Sequence, residues 1–495
     1  MKRWLLGPTS PLAGEVAAQR PEGGRAAARM PARDRAFARP PPPTPPRKGA
    51  GSFIALCLVV LSVAAAPPTL AQSRAPVTEA RFDIDVERVV SPGGVEAWLV
   101  HDTTVPMIVL HADWRGGAAI EPLSQVGVTS VMADMLTEGA GGLDANAFKE
   151  RLEELNTWLA FSAGWDSTSM TIRMLSENRD ASFEMARLAL AEPRWDAGPL
   201  DRIKRQLLVA IRQRETNPSY IANLAMDQAL YPDHPYARRA TRDSVLAIDR
   251  AALVARQALL MTRDRMRITV VGDIDAATLG PLLDRTFGQL PATSALPSTP
   301  QAALNAAVPL IVRELPQPQS LIIFAAPGIQ DEDPDWIPLA VANYIIGGGG
   351  FSSRLVEQVR EQRGLVYGIG TSPSVRDFSA LIRGSAQTEN ADVAEALDVT
   401  RAELARFYAG GATQAEVDDA ITYLTGSFPL DLDSNQGIAS VLHGYHVAGR
   451  GIDYINRRND LIRAVTLEDV NRVIRRLYDP ANFTFVVVGQ PDGLE

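Results

Sequence analysis

The sequence is poor in the side chains that crosslink proteins or bind transition metals. Of its 495 residues only one is a cysteine, Cys57, and five are histidines: His101, His111, His234, His443 and His446. No disulfide can therefore form within the chain, and thiolate and imidazole ligands for zinc are scarce. An oxidising compartment permits such a chain but does not require it.

The N-terminal segment has the features of an export signal. Residues 1–50 are rich in Arg, Ala, Gly and Pro and have little to bury. The apolar run at residues 53–66 is about 14 residues long, which is short for a membrane span of ~20. It follows Arg47-Lys48 and precedes small residues, the order found in signal peptides. We expect residues 1–72 to be a Pro/Arg-rich segment plus a signal peptide ending near residue 71, and the protein to be periplasmic or secreted. An uncleaved anchor, or a start at Met30 or later, stays open.

Acidic side chains outnumber basic ones, and the excess grows when the N-terminal segment is removed. The chain has 49 basic and 58 acidic side chains, of which residues 1–72 hold 10 and 3. Residues 73–495 therefore carry 39 basic and 55 acidic side chains, a net charge near −16. This charge argues against nucleic acid or an anionic membrane as a partner.

The rest of the sequence repeats one order of elements. Hydrophobic periodicity predicts strands at 95–100 and 107–114, helices at 127–136 and 145–155, strands at 158–163 and 167–174, a helix at 179–190, a strand at 266–274 and a helix at 277–287. The second half gives a strand at 320–327, helices at 338–346 and 352–362, strands at 367–372 and 379–386, a helix at 393–408 and a strand at 482–489.

This order predicts an α+β fold of two tandem homologous domains. Each domain would be a mostly antiparallel sheet with helices packed on one face. The predicted boundaries are 78–292 for the first domain and 319–495 for the second. Residues 293–318, which include several prolines and small residues, are predicted to link them.

The stretch GVTSVMADMLTEG at residues 127–139 resembles a metal-binding helix whose ligands have been replaced. It is similar to the helix of the pitrilysin/insulinase family of zinc peptidases, the inverzincins, in which the pattern is Gly-x-x-His-x-x-Glu-His. Here Ser130 and Asp134 occupy the histidine positions, and Ala133 occupies that of the catalytic glutamate. The resemblance places the third ligand position at Ala210, 76 residues after Asp134.

One carboxylate is not a zinc site, since catalytic zinc is held by about three protein ligands. The alternative is a site elsewhere, but no histidine of this chain lies in His-x-x-Glu-His. His443 and His446 are three residues apart with no acidic residue between them, so they are interpreted as core or surface histidines. His234 is interpreted as structural. We expect no metal and no cofactor in this chain.

A motif in the second half is better preserved. Four glycines, Gly347, Gly348, Gly349 and Gly350, precede Phe351-Ser352-Ser353-Arg354-Leu355, and residues 359–368 read VREQRGLVYG. These segments resemble the signature of the family's C-terminal domain. The resemblance implies that Arg360 holds the substrate backbone or a carboxylate and that Tyr367 donates to the developing oxyanion. It also suggests that the glycines contact substrate, although a loose turn is an equal alternative.

The resemblance implies a metalloprotease-like fold and a division of labour between two chains. Some bacterial members of the family are heterodimers in which one subunit carries His-x-x-Glu-His and the other supplies the Arg/Tyr pair. We therefore expect a non-metal-binding subunit of a heterodimeric zinc endopeptidase that is inactive alone. Its partner would be a homologous subunit that holds the zinc, and its substrates would be extended peptides. The alternative is a catalytically inert structural or peptide-binding homologue of the same fold.

Overall fold

The structure is a computed structural model that describes residues 83–305 and 308–494. The predicted signal peptide and Cys57 lie outside these residues. The described residues belong to one compact unit. Within them, no helix combines the length and the hydrophobicity that crossing a membrane requires.

The first half forms a six-stranded sheet. Its strands are β1 (Glu87–Val90), β2 (Glu96–His101), β3 (Met107–Arg115), β4 (Trp158–Ala163), β5 (Ser167–Leu175) and β6 (Met266–Gly272). Their order across the sheet is β1-β2-β6-β3-β5-β4. β2 and β6 run parallel, and the other neighbours run antiparallel. The helices of this half are α1 (Val128–Met135), α2 (Ala145–Glu154), α3 (Arg179–Ala191), α4 (Ala197–Arg214), α5 (Pro218–Leu230), α6 (Arg242–Leu246), α7 (Arg250–Leu260) and α8 (Ala276–Phe287).

The second half forms a five-stranded sheet. Its strands are β7 (Leu310–Glu314), β8 (Gln319–Pro327), β9 (Gly368–Arg376), β10 (Ser379–Glu389) and β11 (Thr484–Gly489), in the order β7-β11-β8-β10-β9. Only β7 and β11 run parallel. The α-helices are α9 (Trp336–Asn343), α10 (Val393–Gly410), α11 (Gln414–Gly426), α12 (Asn435–Val447), α13 (Tyr454–Arg463) and α14 (Leu467–Leu477). Residues 293–318, the predicted linker, include β7.

Each sheet packs one face on helices of its own half. Alternate residues of a strand point to the same face, so Leu110 and Trp114 of β3 join a core with residues of α1, α2, α3, α7 and α8. In the second half Phe324 and Phe485 join a core with residues of α9, α10, α11 and α14. The structure therefore has the predicted α+β architecture of two mostly antiparallel sheets with helices.

The other face of each sheet is covered by a helix from the opposite half. α12 packs on β3 and β6, where Leu442 joins Trp98, Val109 and Val271 in a separate apolar cluster. Reciprocally, α5 packs on β8 and β11, and its Met226 joins a cluster with residues of the second sheet. The central strands are consequently covered on both faces, which explains why β11 is buried along its whole length and β3 along most of it.

Candidate functional site

The start of α1 is fixed by two buried charged side chains. Gly127 has φ 102°, and its N–H and that of Thr129 both donate to the Glu121 carboxylate at 2.7 Å. Arg256 of α7 donates to Thr129 Oγ1 at 2.9 Å and to the Gly117 carbonyl oxygen at 2.5 Å. Desolvation lowers the pKa of Arg256 to about 10, against the opposing charge of Glu121. Two N–H groups at the start of the helix are thereby satisfied without a Ser, Thr or Asp cap.

The positions that resemble metal ligands lie on α1 and on the neighbouring α4. Ser130 and Asp134 are one turn apart and exposed, whereas Ala133 is buried in the core. Ala210 is half-buried on α4, which packs against α1. Desolvation, reinforced by the negative charge of Glu138, raises the pKa of Asp134 to about 6, although this side chain remains accessible to solvent.

These residues do not form a donor set for zinc. Ala133 and Ala210 have no ligand atom, so Asp134 is the single anionic ligand among the four positions. The nearby Glu138 carboxylate accepts from Lys149 Nζ at 2.8 Å and also pairs with Arg202. Across residues 83–305 and 308–494, no three His, Cys, Asp or Glu side chains are grouped so that they could hold a metal ion.

Three of the four glycines are required by close packing. A Cβ atom on Gly347 would lie 2.5 Å from Thr371 Oγ1 of β9. On Gly348 it would lie 2.6 Å from Asn343 Nδ2, and on Gly349 2.8 Å from the Tyr344 carbonyl oxygen. Gly350 has φ 57° and open space around it, so it serves the turn rather than the packing. Whether the glycines also contact substrate stays a prediction.

The glycines overlap the first of two π-helical segments, Tyr344–Gly348, and precede the second, Val356–Glu361. π-helical turns are rare and frequently occur at functional sites. The second segment contains Arg360, whose side chain is 34% exposed. The Arg360 guanidinium lies over the ring of Phe351, with 4.7 Å between Cζ and the ring centroid. The predicted helix at 352–362 therefore differs from an α-helix at the position of Arg360.

Tyr367 lies immediately before β9, the outer strand of the five-stranded sheet. Its N–H donates to the Gln387 carbonyl oxygen at 3.2 Å, while its side chain is 67% exposed. A phenol exposed to this extent contributes nothing to the core. Arg360 and Tyr367 are therefore both accessible to a ligand or to another chain.

Three histidines meet at the contact between α12 and the first sheet. The rings of His111 and His443 stack with centroids 5.3 Å apart. Thr269 Oγ1 lies 3.1 Å from His443 Nδ1 and 3.3 Å from His446 Nδ1. His446 is buried and His443 is half-buried at this contact, in agreement with their interpretation as core or surface histidines. His234 packs edge-on against Tyr236 with 4.4 Å between centroids, in agreement with a structural role.

Sequence reasoning missed several residues around the site. Glu121 and Arg256 carry no motif, because their importance comes from burial next to α1. The position of Phe351, a large apolar residue directly after a glycine turn, was a usable signal. The grouping of His111 with His443 was not predictable without knowing that α12 crosses to the other sheet.

Together these features define a class of protein: a two-sheet metallopeptidase-like fold with alanine at two of the four positions that resemble metal ligands, and with accessible Arg360 and Tyr367 side chains. Comparison with known proteins tests the resemblance to a peptidase family. Residues 247–424, which include Arg360 and Tyr367, match the family model described as the peptidase M16 inactive domain. Over this segment the chain is similar to M16 peptidases, which confirms the resemblance stated from the sequence.

Proteins of similar length show the same similarity over most of the chain. A Helicobacter pylori protein named non-peptidase homolog YmxG is 25% identical over 78% of this chain and 89% of its own length. The uncharacterized zinc protease YmxG of Bacillus subtilis is 22% identical over 79% of this chain and 96% of its own length. A crystal structure of a peptidase M16 inactive domain from Pseudomonas fluorescens has a TM-score of 0.77 and 26% identity, and covers 83% of this chain and 99% of that one.

Proposed function

We propose that this chain is the non-metal-binding subunit of a heterodimeric zinc endopeptidase. The companion subunit would carry His-x-x-Glu-His and the zinc. This chain would supply Arg360 and Tyr367 across the shared cleft, where the phenol donates to the oxyanion and the guanidinium holds the substrate backbone. The observation that carries the proposal is the exposure of the Arg360 and Tyr367 side chains, of which Arg360 lies against Phe351 of the glycine-rich segment.

The proposed substrates are extended peptides. β4 is the outer strand of the six-stranded sheet and packs beside α1. Its outer edge pairs with no other strand in the described part of the chain. An open edge of this kind can accept a peptide as an additional strand through main-chain hydrogen bonds. The proposed compartment is the periplasm or the exterior, where the companion subunit would also have to reside.

A second candidate is a catalytically inert structural or peptide-binding homologue. The name of the Helicobacter pylori relative, a non-peptidase homologue, favours this candidate. The two candidates differ in what Arg360 and Tyr367 do. In the inert homologue their replacement would leave every activity of the assembly unchanged.

The test is purification of the chain from its native host, followed by co-expression with any co-purifying homologue that contains His-x-x-Glu-His. The proposal expects no peptide cleavage by this chain alone and chelator-sensitive cleavage by the pair. It is wrong if the isolated chain cleaves peptides with stoichiometric zinc. Full activity of the companion without this chain also contradicts it.

A further inference from the structure

The surface next to Arg360 contains an apolar side chain without a packing role. Phe351 is 59% exposed, and it directly follows Gly350, whose φ of 57° reverses the chain. A residue with a Cβ would be strained at that φ. The turn therefore places a large aromatic ring at the surface of the loop rather than in the core.

The loop that carries Phe351 is held firmly on both sides. The hydroxyls of Ser352 and Ser353 donate to the carbonyl oxygens of Gly349 and Gly350 at 3.0 and 2.8 Å. Ser353 is completely buried. The glycine contacts with β9 and α9 fix the preceding segment. The Phe351 ring consequently projects from a segment that is held by hydrogen bonds and close packing.

The guanidinium of Arg360 has few other restraints. Its ion pair with Glu361, at 3.4 Å, joins adjacent residues whose side chains are 34% and 45% exposed. Such exposed pairs contribute little to holding a side chain in one orientation. The Phe351 ring, with its centroid 4.7 Å from Arg360 Cζ, is the contact that comes from a different segment. The attraction between a guanidinium and an aromatic face strengthens when water is excluded.

We propose that Phe351 is a positioning residue that orients Arg360 for substrate binding. This inference rests on the proposed function, because it assigns Phe351 a task in the Arg360 contact with peptide. The ring would hold the guanidinium plane in place before substrate arrives, so that less side-chain freedom is lost on binding. When peptide and the companion subunit exclude water from the cleft, the same contact becomes stronger.

The experiment uses the complete complex and a double-mutant cycle. Variants Phe351→Leu, Phe351→Trp, Arg360→Gln and Phe351→Leu/Arg360→Gln are compared by kcat and KM on one peptide. We expect Phe351→Leu to lower kcat/KM about 3- to 30-fold, mainly through KM. Phe351→Trp should restore most of the loss, because it provides a ring. In the Arg360→Gln background, Phe351→Leu should have no further effect.

The matched control removes a similar contact elsewhere. The Arg450 guanidinium lies 5.2 Å from the ring centroid of Tyr454 on α13, and Tyr454→Leu should leave kcat and KM unchanged. Thermal unfolding of each variant checks that the fold is intact. The inference is overturned if the Phe351→Leu loss is the same with and without Arg360, or if Phe351→Leu has no effect. If Arg360→Gln and Tyr367→Phe are themselves silent, or no active complex forms, the proposed function fails and the inference with it.

Discussion

The imidazole of His446 lies flat against the indole of Trp98, with ring centroids 3.9 Å apart and an interplanar angle of 5°. The contact joins α12 of the second half to β2 of the first. Burial and, next, the charge of Arg267 lower the pKa of His446 to about 4, while Glu96 opposes the shift. Burial, together with His111 and His446, also holds the pKa of His443 well below its ordinary value. The contact therefore depends on neutral imidazoles.

Acidification should weaken this contact. The pKa of His446 in the folded chain is below its ordinary value of 6.5, so the unfolded chain takes up the proton first. The stabilisation is complete above pH ~6.5 and is lost progressively as the pH falls toward about 4. For His446 the loss in unfolding free energy is at most about 3 kcal/mol. Urea unfolding at several pH values measures it.

The control for this pH dependence is His446→Phe, which retains a ring against Trp98 but cannot titrate. Its unfolding free energy should fall less than that of the wild type between pH 6.5 and 4.5. Burial raises the pKa values of Asp113 and Asp166 to about 7 and about 6. Their protonation therefore increases the unfolding free energy as the pH falls, whereas that of His446 decreases it. Both are present in each protein, and the difference between the proteins therefore isolates His446. Equal pH slopes would contradict the prediction.

Shortening a buried side chain of α5, a helix that packs on the sheet of the opposite half, should destabilise the whole unit. Met226 of α5 is fully buried against the second sheet, and Met226→Ala should lower the unfolding free energy by about 2–5 kcal/mol. Because the cavity lies between the halves, chemical denaturation should still give one transition. Val209→Ala, at an exposed position of α4, should stay within about 0.5 kcal/mol of the wild type. A separate early transition of one half would show that the halves unfold independently.

Histidine and glutamate side chains at the positions that resemble metal ligands should enable the chain to bind zinc. Ser130 and Asp134 face one way on α1, and Ala210 is on the adjacent α4. The triple variant Ser130→His/Asp134→His/Ala210→Glu should bind one zinc, whereas the wild type should bind none stoichiometrically. Metal analysis after dialysis measures both. The double variant without Ala210→Glu is the control and should bind more weakly, and stoichiometric zinc in the wild type would refute the account of α1.

Removing the Tyr367 hydroxyl should slow the complex without disturbing the fold. In the assembly with the zinc-bearing subunit, Tyr367→Phe should lower kcat about 10²–10³-fold, the loss expected for one oxyanion donor. Its stability should be unchanged, because the side chain is 67% exposed. Tyr220→Phe, in which the altered tyrosine lies on α5, should retain wild-type kcat. Wild-type turnover by Tyr367→Phe would exclude the role in trans.

The sequence predicted local elements well where one periodicity dominates. The strand at 158–163 has the predicted limits, and those at 107–114 and 167–174 extend one residue further. The helix at 393–408 extends to Gly410. The interpretation of Ser130, Ala133, Asp134 and Ala210 as replaced metal ligands stays a prediction, which the zinc-binding variants test. The occurrence of Ser130 and Asp134 on one exposed face followed from helical spacing.

Other features depend on contacts between distant segments. Nothing in the periodicity of α12 indicates that its apolar side covers β3 and β6 rather than the second sheet. β7 is short and lies in a segment whose prolines favour a linker, yet it gains partners from β11. The π-helical segment that contains Arg360 packs on β9, a contact that its own sequence does not indicate. These outcomes are determined by tertiary burial, which outweighs local preference.

The exchange of α5 and α12 between the halves determines how the protein responds to cleavage of its backbone. Residues 293–299 lie outside any helix or strand. After a cut there the two pieces would stay associated, because α5 and α12 each pack on the sheet of the other piece. Either piece produced by itself would instead expose an uncovered sheet face and an apolar helix, a combination that promotes aggregation. Two separately encoded pieces should therefore reconstitute the protein only when they are synthesised in the same cell.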